Sequence, residues 1–297
     1  MHAKLRVASL SIGGNAALVS AELGIAFVTG SLSVLADAFH SGVDLTGSVI
    51  AFWGISLALR RADRSHAYGY GRYENASALI QFVLIAVIGV TILLEAFRRA
   101  VYGFTVNVSE VAILATLITI GVDLLLYRYI SRAGRALGSS ALEADSYHFG
   151  TDAIGKVAVL VGIGMAYLGY PFMDLVGATL IAVAFLLAAF VMGRKNLQVL
   201  VDASPNPELL DAMRKTVVDI PGVVGVHSLR ARSSGSHVLV DLCVHAVPEM
   251  PLDRAHSLAH DVEDQLRSAF PEVSEVVVHV EPTDHPSSMD QRHRSSG

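Results

Sequence analysis

The chain has 297 residues, of which 53% are hydrophobic and only 16% are charged, whereas an ordinary soluble domain carries about 25% charged residues. Its mean hydropathy of +0.51 indicates a membrane protein. The formal net charge of −5 argues against a nucleic-acid partner. The single cysteine, Cys243, excludes an internal disulfide framework and tandem Cys-x-x-Cys zinc motifs.

The N-terminal part of the chain predicts six membrane-spanning helices. A segment of about 18–25 apolar residues is long enough to cross a bilayer as a helix. Six such segments lie at about 6–29, 32–59, 75–97, 109–130, 147–168 and 172–193. The first follows a basic start, as in a signal peptide, but its length predicts a helix that is retained. The sequence therefore predicts a multi-pass protein of the cell membrane.

The distribution of Lys and Arg between the loops predicts the orientation. With a cytoplasmic N-terminus, only Arg98 and Arg99 fall on the outer side, and eleven basic residues fall on the cytoplasmic side. Because short loops rich in Lys and Arg remain in the cytoplasm, both termini are predicted to be cytoplasmic. The eleven residues are Lys4, Arg6, Arg60, Arg61, Arg64, Arg72, Arg128, Arg132, Arg135, Arg194 and Lys195.

The composition changes after Gly193, where apolar runs shorten and Pro, His and acidic residues return. We therefore expect a six-span membrane domain at 1–200, a cytoplasmic domain at 201–284 and a disordered tail at 285–297. Two amphipathic stretches and three β-branched runs alternate in the second domain in the order αββαβ. This order predicts an open sheet with helices on one face.

A His-x-x-x-Asp motif occurs twice within the predicted spans. His40 and Asp44 lie on the second span, and His148 and Asp152 lie on the fifth. Residues four apart share one face of a helix, so two facing helices would supply two imidazoles and two carboxylates. These are the number and type of ligands of a tetrahedral Zn²⁺ site.

The motifs also have interpretations that do not involve a metal. A single motif can arise by chance, or a His–Asp pair can simply hold two helices together. Four ionisable groups at bilayer depth are expensive, however, and are usually functional, so we favour the metal site. Asp37, one turn from His40, is an outer partner of the site or a residue of a hydrated vestibule.

Lys156 lies one turn beyond Asp152 on the same predicted helix. One interpretation is a charge-compensating pair with Asp152 or another acid within the membrane. The other is a coupling role, in which the ammonium acts as a built-in counter-cation after the metal has left.

Four stretches of the sequence resemble the cation diffusion facilitator family of divalent-metal transporters. They are SLSVLADAFHSGVDLTGSVIAFWGI, HAYGYGRYENASALIQ, EADSYHFGTDAIGKVAVLVG and PGVVGVHSLRAR, and the resemblance extends over about residues 8–283. It implies a six-helix bundle, a metallochaperone-like αββαβ domain, a homodimer, and export of zinc in exchange for protons. By position, it implies His40, Asp44, His148 and Asp152 as the transport site.

The resemblance implies further residues outside the spans. Asp63 and His66 match part of a loop zinc site, but Tyr70 replaces its second histidine. Arg72 and Asp202 match a charge pair that joins the two domains. The implied cytoplasmic zinc ligands are His227, Cys243, His256, His279 and Glu281, and the histidines without a counterpart, expected at the surface, are His237, His245 and His260.

The choice of metal and the function class remain open at this level. Imidazole favours Zn²⁺ over Mn²⁺, and neutral but not protonated imidazole binds metal, so protons and zinc should compete. An exporter of Fe²⁺, Mn²⁺ or Co²⁺ is the alternative. A membrane-embedded metalloenzyme and a metal sensor or channel are alternatives of other classes. The sequence lacks H-E-x-x-H, G-x-S-x-G and G-x-x-x-x-G-K-[ST], so we expect neither a common hydrolase nor an ATP-driven pump.

Overall fold

A computed structural model describes residues 2–29, 32–102, 110–168, 170 and 172–283. The chain forms two compact units, Met1–Val201 and Asp202–Gly297. The tail predicted at 285–297 lies outside the described residues.

The first unit is a bundle of long helices. They are α1 (Ala3–Thr29), α2 (Leu32–Ala58), α3 (Arg72–Tyr102), α4 (Glu110–Ala136), α5 (Ser140–Tyr167) and α6 (Phe172–Leu200). The closest pairs are α1 with α2, α3 with α6, and α4 with α5. Helix α5 contacts each of the other five, so its polar side chains lie at the centre of the bundle.

Large hydrophobic side chains cover much of the outer surface of the bundle, and hydrophobic and polar side chains are both buried inside it. Trp53, Leu125 and Leu180 are among many large hydrophobic side chains that are more than 60% exposed, as expected for a surface in contact with lipid. Of the described residues, Arg72–Tyr102 and Leu175–Leu200 are long and apolar enough by themselves to cross a membrane.

Helix α5 begins at Ser140, before the predicted start near 147. The turn that precedes it contains Gly138 in the left-handed region, at φ 57°, and the Ser139 hydroxyl accepts a hydrogen bond from Leu142 N. The apolar pattern missed this first part because it contains Glu143 and Asp145, yet Asp145 is completely buried. The helix therefore carries acidic residues into the bundle.

A buried ion pair ties the beginning of α1 to the beginning of α3. Lys4 Nζ lies 2.9 Å from Oε2 of Glu74, and the Ser139 hydroxyl donates to the same carboxylate. The carboxylate of Glu74 is only 3% exposed. These contacts join α1, α3 and the turn between α4 and α5.

The second unit has the predicted αββαβ order. Its elements are α7 (Pro207–Val218), β1 (Gly225–Ser234), β2 (His237–Ala246), α8 (Leu252–Ala269) and β3 (Val273–Pro282). The sheet order is β1-β2-β3, with β1 antiparallel and β3 parallel to β2. Both helices pack on one face of the sheet, as predicted, because residues of α7, α8 and β2 share one core, which includes Met213, Val217, Val240, Leu242, Val244, Val262 and Leu266.

Candidate metal transport site

Asp44, His148 and Asp152 come together where α2 meets α5. Nε2 of His148 lies 2.7 Å from Oδ1 of Asp44 and 3.9 Å from Oδ2 of Asp152. One ligand atom from each of the three lies within 4.8 Å of the others, and all three side chains are buried. A divalent cation at this point would be bound by one imidazole and two carboxylates, whose charges balance its own.

The fourth predicted ligand, His40, belongs to α2 one turn before Asp44. The described side chains do not include those of His40 and Asp37. Their participation in the site stays a prediction.

Sequence reasoning missed Asp145, which lies beside the cluster. Its Oδ1 accepts a 2.7 Å hydrogen bond from Ser48, whose hydroxyl also lies 2.8 Å from the Ser11 hydroxyl and accepts from Asn15 at 2.9 Å. Oδ2 of Asp145 is buried and has no hydrogen-bond partner among the described residues. The spacing of Asp145, three residues before His148 on the same helix face, was the available signal.

Lys156 forms an ion pair with Asp123 of α4, with 2.7 Å between Nζ and Oδ2. Asp123 is 2% exposed, and the Lys156 side chain is 17% exposed. This is the contact with another acid that the charge-compensating interpretation requires. Asp123 was also missed, although a lone acid in the apolar stretch TIGVDLLLYRY is a recognisable signal.

A cavity of about 540 Å³ lies next to the site, between α3, α5 and α6, with Thr116 of α4 also in its lining. Asp152 and Lys156 line it on α5, and Glu95 and Arg99 line it near the end of α3. Glu95 also accepts hydrogen bonds from Arg98 and Arg99, so an acid accompanies the arginine pair of this helix end. The cavity therefore extends from a predicted ligand towards one end of the bundle.

Both units match models of one protein family. Residues 8–201 match the cation efflux transmembrane domain, and residues 205–283 match the cytoplasmic domain of cation efflux proteins. The chain belongs to the cation diffusion facilitator family. Members of this family are transporters, so the protein is a membrane protein that exports a divalent cation, and the predicted architecture of a six-helix transmembrane bundle followed by a cytoplasmic α/β domain is confirmed.

Several relatives share most of this length. The cation-efflux pump FieF of Pectobacterium atrosepticum is 31% identical over 254 residues, which cover 86% of this chain and 84% of the relative. The manganese efflux system protein MneP of Bacillus subtilis is 25% identical over 284 residues, which cover 93% and 95%. A solved structure of the MamM CTD is 25% identical and covers 25% of this chain and 94% of its own, with a TM-score of 0.25.

The loop between α2 and α3 of this transporter uses Asp63 to hold its own backbone. Oδ1 of Asp63 accepts hydrogen bonds from the backbone N–H groups of Ser65 and His66, both at 2.8 Å, and from the Ser65 hydroxyl. Tyr70 donates to Oδ2 at 2.7 Å, and the rings of His66 and Tyr70 are stacked with centroids 4.0 Å apart. These hydrogen bonds lower the pKa of Asp63 well below its usual value, chiefly those from the side chains of Ser65 and Tyr70.

Arg72 and Asp202 each have contacts within their own unit. A guanidinium nitrogen of Arg72 donates to the carbonyl oxygen of Leu200 at 3.4 Å. Asp202 lies 3.5 Å from Arg232 and has a φ of 61°. The charge pair between Arg72 and Asp202 stays a prediction.

The cytoplasmic domain of the transporter places a group of side chains that could hold a metal ion on the sheet face opposite its helices. His227, His245 and Glu281 offer ligand atoms within 4.8 Å of one another. His279 Nε2 lies 3.1 Å from Oε1 of Glu281. Cys243 pairs in register with both His227 and His279, and burial, with the Glu281 carboxylate, raises the pKa of its thiol.

The expected position of His245 at the surface requires correction, because it is partly buried beside His227, with ring centroids 4.4 Å apart. Nδ1 of His227, Nε2 of His245 and Oε2 of Glu281 are buried without a hydrogen-bond partner among the described residues. The sequence signal for His245 was its position two residues after Cys243 on a strand, which places both side chains on one face of the sheet.

The structure does not bring His256 to the other four predicted cytoplasmic ligands within one chain. It is exposed on α8 next to His260, and α8 packs on the opposite face of the sheet through Leu258, Val262 and Leu266.

Proposed function

We propose that this transporter exports zinc from the cytoplasm in exchange for protons, with His40, Asp44, His148 and Asp152 as the transport site. The observation that carries the proposal is the buried cluster of Asp44, His148 and Asp152 at the centre of the bundle. Buried ionisable groups at bilayer depth mark ion pathways and proton relays.

The ligand chemistry favours zinc. The cluster supplies an imidazole as well as two carboxylates, and His40 would add a second imidazole. Nitrogen ligands suit Zn²⁺, whereas Mn²⁺ prefers a site made of oxygens. Manganese remains the metal to test beside zinc, because a relative is described as a manganese efflux system protein.

Proton exchange follows from the same ligands. A protonated imidazole cannot bind metal, so loading the site with protons expels the ion, and loading it with metal expels protons. With both termini in the cytoplasm, the end of α3 lies on the outer side. The cavity would then connect Asp152 to the outside, as the releasing state of an alternating-access cycle requires.

Flux measurements in proteoliposomes test the proposal. Zinc uptake should depend on a pH gradient and exceed that of Cd²⁺, Mn²⁺, Fe²⁺ and Co²⁺, and Asp152→Ala should abolish it. Asp211→Ala, an exposed position on α7, is the matched control and should transport normally. Faster manganese than zinc flux would overturn the choice of metal, and normal flux by Asp152→Ala would overturn the site.

We also propose that the sheet face of the cytoplasmic domain binds a regulatory zinc ion in a homodimer. The site is supported by buried atoms of His227, His245 and Glu281 that make no hydrogen bond among the described residues, and Cys243 and His279 border it. His245→Ala should reduce the zinc bound per full-length chain, and His237→Ala, an exposed position on the same strand, should not. Light scattering of the detergent-solubilised protein should give the mass of two chains.

A further inference from the structure

We propose that the Lys156–Asp123 ion pair sets the metal affinity of the transport site, with the Lys156 ammonium weakening metal binding at Asp152 and so promoting release into the cavity. This inference rests on the proposed function, because it treats Asp152 as a metal ligand. It assigns Lys156 and Asp123 as positioning and affinity-determining residues that do not themselves bind the metal.

The Lys156 ammonium lies close to the proposed transport site. Lys156 follows Asp152 by one turn of α5, and residues four apart on a helix are neighbours on its surface. Both line the same cavity. The ammonium is held by Asp123 at 2.7 Å, so its position is defined by a partner on a second helix.

Solvent screens the charges of this ion pair only weakly. Asp123 is 2% exposed and the Lys156 side chain is 17% exposed, and salt screens partly buried charges much less than exposed ones. A unit charge beside a divalent ion in such a setting changes its binding by a measurable factor. The ammonium therefore acts on any cation at Asp152.

Several acidic residues surround the Lys156–Asp123 pair. Lys156 interacts electrostatically with Asp123, Asp152 and Glu22 of α1, and Asp123 interacts with Asp152 and Asp44. Because the two members carry opposite charges, removing one or the other changes the local charge by one unit in opposite directions. If the ion pair were purely structural, removal of Lys156 and removal of Asp123 would change the metal affinity in the same direction.

Zinc binding to the purified full-length protein at constant pH tests this difference in sign. Lys156→Met should tighten binding at the transport site, and Asp123→Asn should weaken it, each by about tenfold. The double variant and Lys156→Arg should stay close to wild type. Lys195→Met, an exposed lysine on α6, is the matched control and should not change the affinity.

Transport kinetics provide the second measurement. Lys156→Met should lower KM and kcat together, because a metal that binds more tightly is released more slowly. Shifts of both single variants in the same direction, or no shift in either, would overturn the inference. If Lys156→Met does not fold, Asp123→Asn still tests the sign, since unchanged or tighter binding by that variant contradicts it.

Asp152→Ala separates this inference from the proposed function and supplies the baseline for zinc bound elsewhere. Unchanged binding and flux in Asp152→Ala would refute the transport site itself. Loss of both, combined with the absence of opposite shifts in the ion-pair variants, would refute only the role assigned to Lys156 and Asp123.

Discussion

At the scale of single residues, Ser48 of α2 joins α1, α2 and α5 near the centre of the transporter. Its hydroxyl donates to Asp145 of α5 and contacts Ser11 and Asn15 of α1. A buried polar group that loses its partner costs about 1–3 kcal/mol. The hydroxyl therefore fixes α1 and α2 against the helix that carries His148.

We expect Ser48→Ala to lower the thermal midpoint of the solubilised protein by about 2–10 °C, because Asp145 and Asn15 both lose a hydrogen bond. Differential scanning fluorimetry measures this shift. Ser20→Ala is the matched control, since the exposed Ser20 hydroxyl donates to the carbonyl of Ala16 in its own helix. A shift of equal size in both variants would contradict the role of Ser48.

Tyr70 is the residue that distinguishes the α2–α3 loop from a three-ligand zinc site. Its hydroxyl donates to Asp63 and its ring stacks on His66, so position 70 lies next to both predicted ligands. We expect Tyr70→His to raise the zinc bound per full-length chain by about one ion, because it adds a nitrogen ligand and removes a donor from the carboxylate. Elemental analysis after gel filtration measures the stoichiometry, and Tyr68→His, an exposed neighbour, should leave it unchanged.

At the scale of elements, the Lys4–Glu74 ion pair joins α1 to α3 where the chain enters the bundle. Removing one member of a buried ion pair costs about 3–5 kcal/mol, because a charge is left without its partner. Lys4→Met should therefore destabilise the protein strongly, as measured by its thermal midpoint. Adding Glu74→Gln should recover part of the loss, since the stranded charge is gone and an acceptor for Ser139 remains.

The exposed Lys195 gives the comparison for that experiment. Lys195→Met should change the thermal midpoint little, since exposed charges contribute about 0–1 kcal/mol. A double variant less stable than Lys4→Met alone would show that the pair does not stabilise the protein in this way.

The elements also show which features a single sequence could predict. Apolar length alone predicted the spans, and period-two runs predicted the strands, because burial on one or two faces leaves a periodic pattern. The apolar pattern failed to predict the start of α5. Asp145 is buried there and accepts a hydrogen bond from Ser48 of a neighbouring helix. A partner distant in sequence, such as Ser48, leaves no trace in the local pattern.

The same limit explains the site residues. Asp44, His148 and Asp152 were predicted together because each helix carries a motif with helical spacing, and the structure places them within ligand distance. Asp123 and His245 were missed because their partners, Lys156 and His227, lie on other elements. Their contacts depend on the packing of α4 on α5 and on the register of β1 with β2.

At the scale of the whole molecule, the single cysteine offers a direct test of sidedness. Cys243 lies in the middle of β2 and is partly exposed. Burial raises the pKa of its thiol, so at a given pH less of it is thiolate than in an unperturbed cysteine. Because thiolate is the reactive form, modification by a maleimide should be slow at neutral pH and should accelerate as the pH rises towards that pKa.

If both termini are cytoplasmic, a membrane-impermeant maleimide should label Cys243 in inside-out vesicles and not in intact cells, whereas a permeant maleimide should label it in both. Mass spectrometry of the intact chain measures the label, and Cys243→Ser shows that it is specific. Zinc should slow the reaction, because an ion on the sheet face engages the ligands beside the thiol, and His245→Ala should remove that protection. Labelling of intact cells by the impermeant reagent would show that the cytoplasmic orientation of the termini is wrong. The cavity at Asp152 would then face the cytoplasm.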